Sequence, residues 1–136
     1  MHQTLTRARF PSFSGTSVAR DFVEAPSQLM ENFAWLPEVL AMVSGHYQDP
    51  ARKLPPELLA RMLAARNFNS GYSTLRQVAL ASLDWAYHTL PSPVDTTAVM
   101  KSVLESIQGG RVAEGTHFQA GFGHLMGYAA GYYSYL

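Results

Sequence analysis

Apolar residues recur at three- and four-residue spacing along most of the chain, and strict alternation is nearly absent, which predicts helices and almost no strand. Asp21 to Trp35 reads as one helix: Phe22, Leu29 and Phe33, with Val23, Met30 and Ala34 beside them, form a broad apolar face. Pro26 fits such a helix only near its first turn or as a kink. Leu36 to Val43 is a short continuation broken by Pro37, and "SGHYQDPARKLPP" is a loop. Pro55 and Pro56 suit a helix start, and "ELLARMLAARNF" continues it with Leu58, Leu59, Met62, Leu63 and Phe68. After the break "NSGYST", Ser73 to Leu90 carries a stripe of Leu75, Val78, Ala79, Ser82, Leu83, Ala86 and Leu90. Asp95 or Thr96 caps a further amphipathic helix, Thr97 to Gln108, which Gly109 and Gly110 end. A coil to Gln119 leads into "GFGHLMG", whose three glycines predict a mobile loop, and helical spacing resumes from Tyr128. The expected fold is all-α, with residues 1–136 in a single domain.

Composition narrows the classes. The chain has 136 residues, 47% hydrophobic and 15% charged, so it can bury a core. Ten basic and ten acidic residues give zero net charge, and no basic run marks a nucleic-acid or anionic-membrane partner. The absence of cysteine excludes disulfides and thiolate metal sites and suits a reducing compartment. No apolar run is long enough to span a membrane, and "MHQTLTRARF" lacks the apolar centre of a signal peptide. The closing "GYYSYL" stops inside an aromatic run. The chain is therefore expected to be a piece of a longer one.

Two features carry candidate chemistry. Glu24 stands among Phe22, Val23, Ala25, Pro26, Leu29 and Met30. A carboxylate there is costly to bury unless a cation, a hydrogen-bond network or a metal offsets the cost. The second feature is Tyr128, Tyr132 and Tyr135, at i, i+4 and i+7, preceded by His124 in the glycine loop. On one helix their hydroxyls would share a face. Pattern alone favours a packing stripe over a row of phenol donors aimed at an oxyanion. None of the five histidines pairs as His-x-x-x-His, so a complete zinc site cannot be read from this chain.

The stretch Ser14, Gly15, Thr16, Val18, Arg20, Asp21, Phe22, Val23, Glu24, Pro26, Ser27, Gln28 and Glu31 resembles the segment that follows the His-Glu-Phe-Gly-His helix in the thimet oligopeptidase, neurolysin and oligopeptidase A family of zinc metallopeptidases. "SGHY", "LRQVALASLDWAYHT" and "FGHLMGYAAGYYSYL" resemble later family segments in the same order. The resemblance implies a zincin in which two histidines and a glutamate bind Zn²⁺ and a second glutamate activates the bound water. It implies that Glu24 is the third zinc ligand. Asp21, Ser27, Gln28 and Glu31 would lie around it, orienting ligands or packing. Tyr128 and Tyr135 would approach the scissile peptide, one of them stabilising the tetrahedral intermediate, while His124 and Tyr132 would contact substrate. The family's loop before the first tyrosine is usually longer than the four-residue step from His124 to Tyr128. The His-Glu-x-x-His segment and the N-terminal helical lobe of the family are not in these residues. The implied whole is therefore a cytoplasmic zinc oligopeptidase acting on short peptides, of which this chain is part of the catalytic domain. Alone it should be inactive, hold no stoichiometric zinc, and associate with its own kind through the faces around Phe22, Leu29 and Phe33. The alternative is a non-catalytic helical module that binds peptides or a partner chain; a third possibility is that another polypeptide supplies the missing helix.

Overall fold

The computed structural model describes residues 1–136; its regular structure is all helical, with no strand. Its helices are α1 (His2–Leu5), α2 (Ala25–Phe33), α3 (Pro37–Val43), α4 (Pro56–Ala65), α5 (Ser70–Thr89), α6 (Thr96–Gln108), α7 (Phe118–Gly121) and α8 (His124–Gly127). Short 3₁₀ turns add Pro11–Phe13 and Tyr132–Tyr135.

Proline and capping chemistry set the boundaries. Pro26, Pro37 and Pro56 all fall in a first turn, where the missing N–H costs nothing. For that reason α2 begins at Ala25 rather than at Asp21: Pro26 cannot bond back to the Phe22 carbonyl, which takes the Ala25 N–H in a turn instead, at 3.2 Å. The Asp95 side chain accepts the Ala98 N–H at 3.0 Å, capping α6. Gly109, at φ 72°, ends that helix in the left-handed conformation glycine favours.

The core is small and lies toward the C-terminus. Leu80 and Leu83 of α5, Met100 of α6, and Phe122, Leu125 and Tyr132 form one cluster, with Tyr87, Val99, Val103 and Leu104 packed against it. Within α5 the buried residues are Ala79, Leu80, Leu83 and Asp84. The expected stripe was therefore partly misplaced. Ala79 and Leu83 are inside, but Leu75 and Leu90 are 44% and 45% exposed, and Leu80 and Asp84 take the inward face. α1 to α4 contain no buried residue. Leu29, Phe33, Met42 and Val43 of these helices are exposed, as is Phe22 in the turn before α2.

Candidate functional site

Glu24 ends the turn before α2, and Ser27 one turn on donates to its carbonyl at 2.7 Å and to Oε2 at 3.3 Å. The carboxylate is half-buried rather than entombed. What stabilises it comes from the far end of the chain. Tyr128 Oη donates to Glu24 Oε1 at 2.8 Å. Tyr135 Oη lies 3.2 Å from the same oxygen and 2.9 Å from Tyr128 Oη, so its one proton serves either acceptor. The Tyr128 hydrogen bond holds the Glu24 carboxyl below the usual carboxylate range. Partial burial opposes this, while Tyr135, Ser27 and the nearby His124 reinforce it. Burial, then the bonds to Tyr128 and Glu24, push the Tyr135 phenol well above its ordinary value. It therefore keeps its proton and stays a donor.

The tyrosines do not share one helix, which corrects the expectation from their spacing. Tyr128 follows α8, and Ala129 and Ala130 sit at φ 44° and 68°, in the left-handed region that breaks a helix. The chain re-enters as the Tyr132–Tyr135 turn. Gly131 N–H closes this reversal on the Tyr128 carbonyl at 3.0 Å. A Cβ on Gly131 would stand 2.8 Å from that carbonyl oxygen, so only glycine fits. The reversal brings the Tyr128 and Tyr135 hydroxyls together and sends Tyr132 inward, where its ring joins the core and its hydroxyl donates to Gln77 Oε1 at 2.9 Å.

The remaining expected residues divide. His124 is exposed, and its ring lies 5.4 Å from Tyr128, 5.3 Å from Tyr132 and 5.7 Å from Tyr135. The three glycines of its segment fall in and beside α7 and α8 at negative φ. Asp21 accepts from Tyr133 Oη at 3.2 Å rather than touching Glu24, and that partner pushes the Tyr133 phenol up. Gln28 meets Glu24 through its backbone N–H, 3.0 Å from the Glu24 carbonyl. Glu31 is exposed, and the bonds to the Glu24 carboxylate come from Tyr128, Tyr135 and Ser27. Two neighbours were not foreseen. The Arg20 guanidinium lies over the Tyr128 ring, 5.1 Å from its centroid. Asp84, inside α5, accepts N–H groups of the tyrosine segment; its signal was an acid within an apolar stripe, the same as that of Glu24.

Thr16, Ser17, Val18, Arg20, Val23, Glu24 and Tyr128 line a cavity of about 410 Å³. His2 Nε2 is 2.8 Å from the Val23 carbonyl, which can only accept, so that nitrogen carries the proton. No three histidines, aspartates or glutamates converge anywhere in the chain. Catalytic zinc takes three protein ligands, so the residues present do not by themselves fit the ion.

The comparisons with known proteins all point to peptidases. The chain is 44% identical over its whole length to a thimet-like oligopeptidase of Dictyostelium discoideum, covering 21% of that protein. It is 40% identical to oligopeptidase A of Salmonella typhimurium, again over the whole chain and 21% of the relative. It is 43% identical to a mitochondrial intermediate peptidase of Phaeosphaeria nodorum, with 18% of the relative covered. Residues 1–136 match Peptidase family M3, and the chain belongs to that family. It spans about a fifth of the length of these curated relatives. No helix is long and apolar enough to cross a membrane.

Proposed function

We propose that these residues form one wall of the active site of a zinc-dependent oligopeptidase that cleaves short peptides in the cytoplasm. Glu24 is one ligand of the Zn²⁺, and Tyr128 and Tyr135 are donors to the oxyanion of the attacked carbonyl. The observation that carries the reading is the meeting of two phenol hydroxyls on one carboxylate oxygen, Oε1 of Glu24. Oε2 takes only the long bond from Ser27 and is the oxygen left for a cation. Bound zinc would supply Lewis-acid chemistry at the scissile carbonyl. Tyr128 and Tyr135 would bring protonated phenols to the same place, a pair that has only to turn its hydroxyls from Glu24 to donate to the oxyanion. His124, beside both rings, would complete the substrate wall, and Tyr132, buried behind it, would support that wall from the core. Asp21, Ser27, Gln28 and Glu31 would orient the segment that carries Glu24.

The test replaces the corresponding segment of the Salmonella oligopeptidase A with these 136 residues and measures zinc content and peptide hydrolysis. An active chimera should lose zinc affinity with Glu24→Gln, because a neutral amide replaces an anionic ligand. With Tyr128→Phe it should keep its zinc and lose about 10²- to 10³-fold in kcat, with KM little changed. Hydrolysis at the parent rate by zinc-loaded Tyr128→Phe and Tyr135→Phe chimeras would refute the oxyanion role. Full zinc occupancy of the Glu24→Gln chimera would refute the ligand role.

A further inference from the structure

Asp84 is a carboxylate with 1% of its surface exposed, in the C-terminal half of the longest helix. Both of its oxygens are turned toward the tyrosine segment. Oδ1 accepts the Ala130 N–H at 3.2 Å, and Oδ2 accepts the Tyr132 N–H at 3.0 Å. From the other side, His88 Nδ1 lies 3.1 Å from Oδ1 and 2.7 Å from the Asp84 carbonyl. A carbonyl only accepts, so Nδ1 carries the proton, and His88 steadies the carboxylate along its own helix.

The two N–H groups flank Gly131 in the reversal between Tyr128 and Tyr135. Ala129 and Ala130 hold positive φ there, 44° and 68°, where a Cβ is unfavourable. Residues stay in such conformations only when their surroundings over-determine them. Asp84 is the group that meets this segment with two hydrogen bonds from inside the core. The tyrosines it flanks are the pair whose hydroxyls converge on Glu24.

We propose that Asp84 is a positioning residue: by gripping the backbone at Ala130 and Tyr132 it holds the strained reversal and so sets the Tyr128 and Tyr135 hydroxyls together on Glu24. The assignment rests on the function proposed above only for what those hydroxyls do. Its test reads geometry, so an inactive chimera would leave it standing.

The test is nuclear magnetic resonance on the 136-residue chain, reading amide exchange and ring-to-ring contacts. Asp84→Asn keeps the shape of the side chain but puts an NH₂ against one of the two N–H donors. Exchange protection at Ala130 and Tyr132 should fall by about tenfold or more, the loss expected for hydrogen bonds to a charged group. The contact between the Tyr128 and Tyr135 rings, whose centroids are 5.4 Å apart, should disappear. The amides of α6 should keep their protection. Adding Ala129→Gly and Ala130→Gly should restore the ring contact, because glycine takes positive φ without the Cβ penalty. The same glycines should restore nothing in Leu83→Ala, a core variant that leaves the carboxylate in place. Asp84→Asn with the ring contact and amide protection intact would overturn the proposal. So would protection lost equally in α6 with no recovery from the glycines. Should Asp84→Asn fail to fold, the glycine-bearing variant decides: a regained ring contact supports the proposal, and a chain that stays unfolded overturns it.

Discussion

The surface of the chain predicts that it associates. A folded monomer of 15.0 kDa exposes about 7,000 Å², whereas this chain exposes 9974 Å². The excess is about 3,000 Å², several times the roughly 800 Å² per partner of an ordinary stable interface. Much of it lies on apolar side chains of the first half. Phe22 is 54% exposed, Leu29 60% and Phe33 48%. Full burial of such a side chain is worth about 1.5–3 kcal/mol, so covering the exposed half of one is worth about 1 kcal/mol. Across an interface between two copies each substitution acts twice, so Phe22→Ser should weaken the dimer by about 2 kcal/mol, roughly 30-fold in Kd. The triple variant Phe22→Ser, Leu29→Ser, Phe33→Ser should be a monomer, and with no buried residue in α2 its helical circular dichroism should be unchanged. Sedimentation velocity over a range of concentrations reads all three states. A parent chain that stays monomeric at hundreds of micromolar would refute the reasoning, as would a triple variant that dimerises like the parent.

Four further outcomes follow from particular side chains. The isolated chain should retain no stoichiometric zinc after dialysis, measured by atomic emission, because no three ligands converge; tightly held zinc involving Glu24 would require a histidine such as His124 or His2 to join it. Because folding lowers the Glu24 pKa, its contribution to stability is present above the unfolded value of about 4.3 and lost as pH falls through the folded one, so the urea midpoint of the parent should drop further on acidification than that of Glu24→Gln. Leu83→Ala, at a fully buried position, should cost about 3 kcal/mol in urea unfolding. Gly131→Ala should disturb the near-ultraviolet dichroism of the tyrosine cluster, since its Cβ would meet the Tyr128 carbonyl.

The helices were legible because proline, glycine and capping residues mark their ends: Pro26, Pro37, Pro56, Asp95 and Gly109 all sit where local chemistry puts them. The inward face of α5 was less so. Its apolar residues spread around much of the helix, and periodicity could not decide between a face with Leu75 and Leu90 and one with Leu80 and Tyr87. The tyrosine helix failed for a different reason. Ala129 and Ala130 are residues that favour a helix. Nothing local announces that they adopt positive φ, because the groups holding them are two hydrogen bonds from Asp84, more than forty residues earlier. Glu24 was legible as a site because a carboxylate in apolar company asks for a partner. Its partners lie more than a hundred residues away; spacing and the family resemblance both singled out these tyrosines, but neither paired them with Glu24. Asp84 posed the same question and went unread.

How the two halves meet follows from these contacts. Residues 1–68 contribute only Gly15 to the buried set, so apolar packing does not fasten them to the core of α5, α6 and the C-terminal segment. What joins them at the site is polar and aromatic: Tyr128 and Tyr135 on Glu24, Tyr133 on Asp21, and Arg20 over the Tyr128 ring. The Tyr133–Asp21 bond is open to solvent and adds little, whereas the bonds to the Glu24 carboxylate are of the charged kind, worth about 1.5–3 kcal/mol apiece at most. The two on Glu24 together contribute a few kcal/mol, comparable to one buried leucine. The proposed ligand and the proposed oxyanion donors thus stand on separately built parts, joined by the same phenol groups that the chemistry would use. A tyrosine that turns from Glu24 to a substrate oxyanion releases part of the joint as it does so. Precision at this site must then come from the side of the joint that is anchored in the core, where Asp84 grips the reversal between Tyr128 and Tyr135.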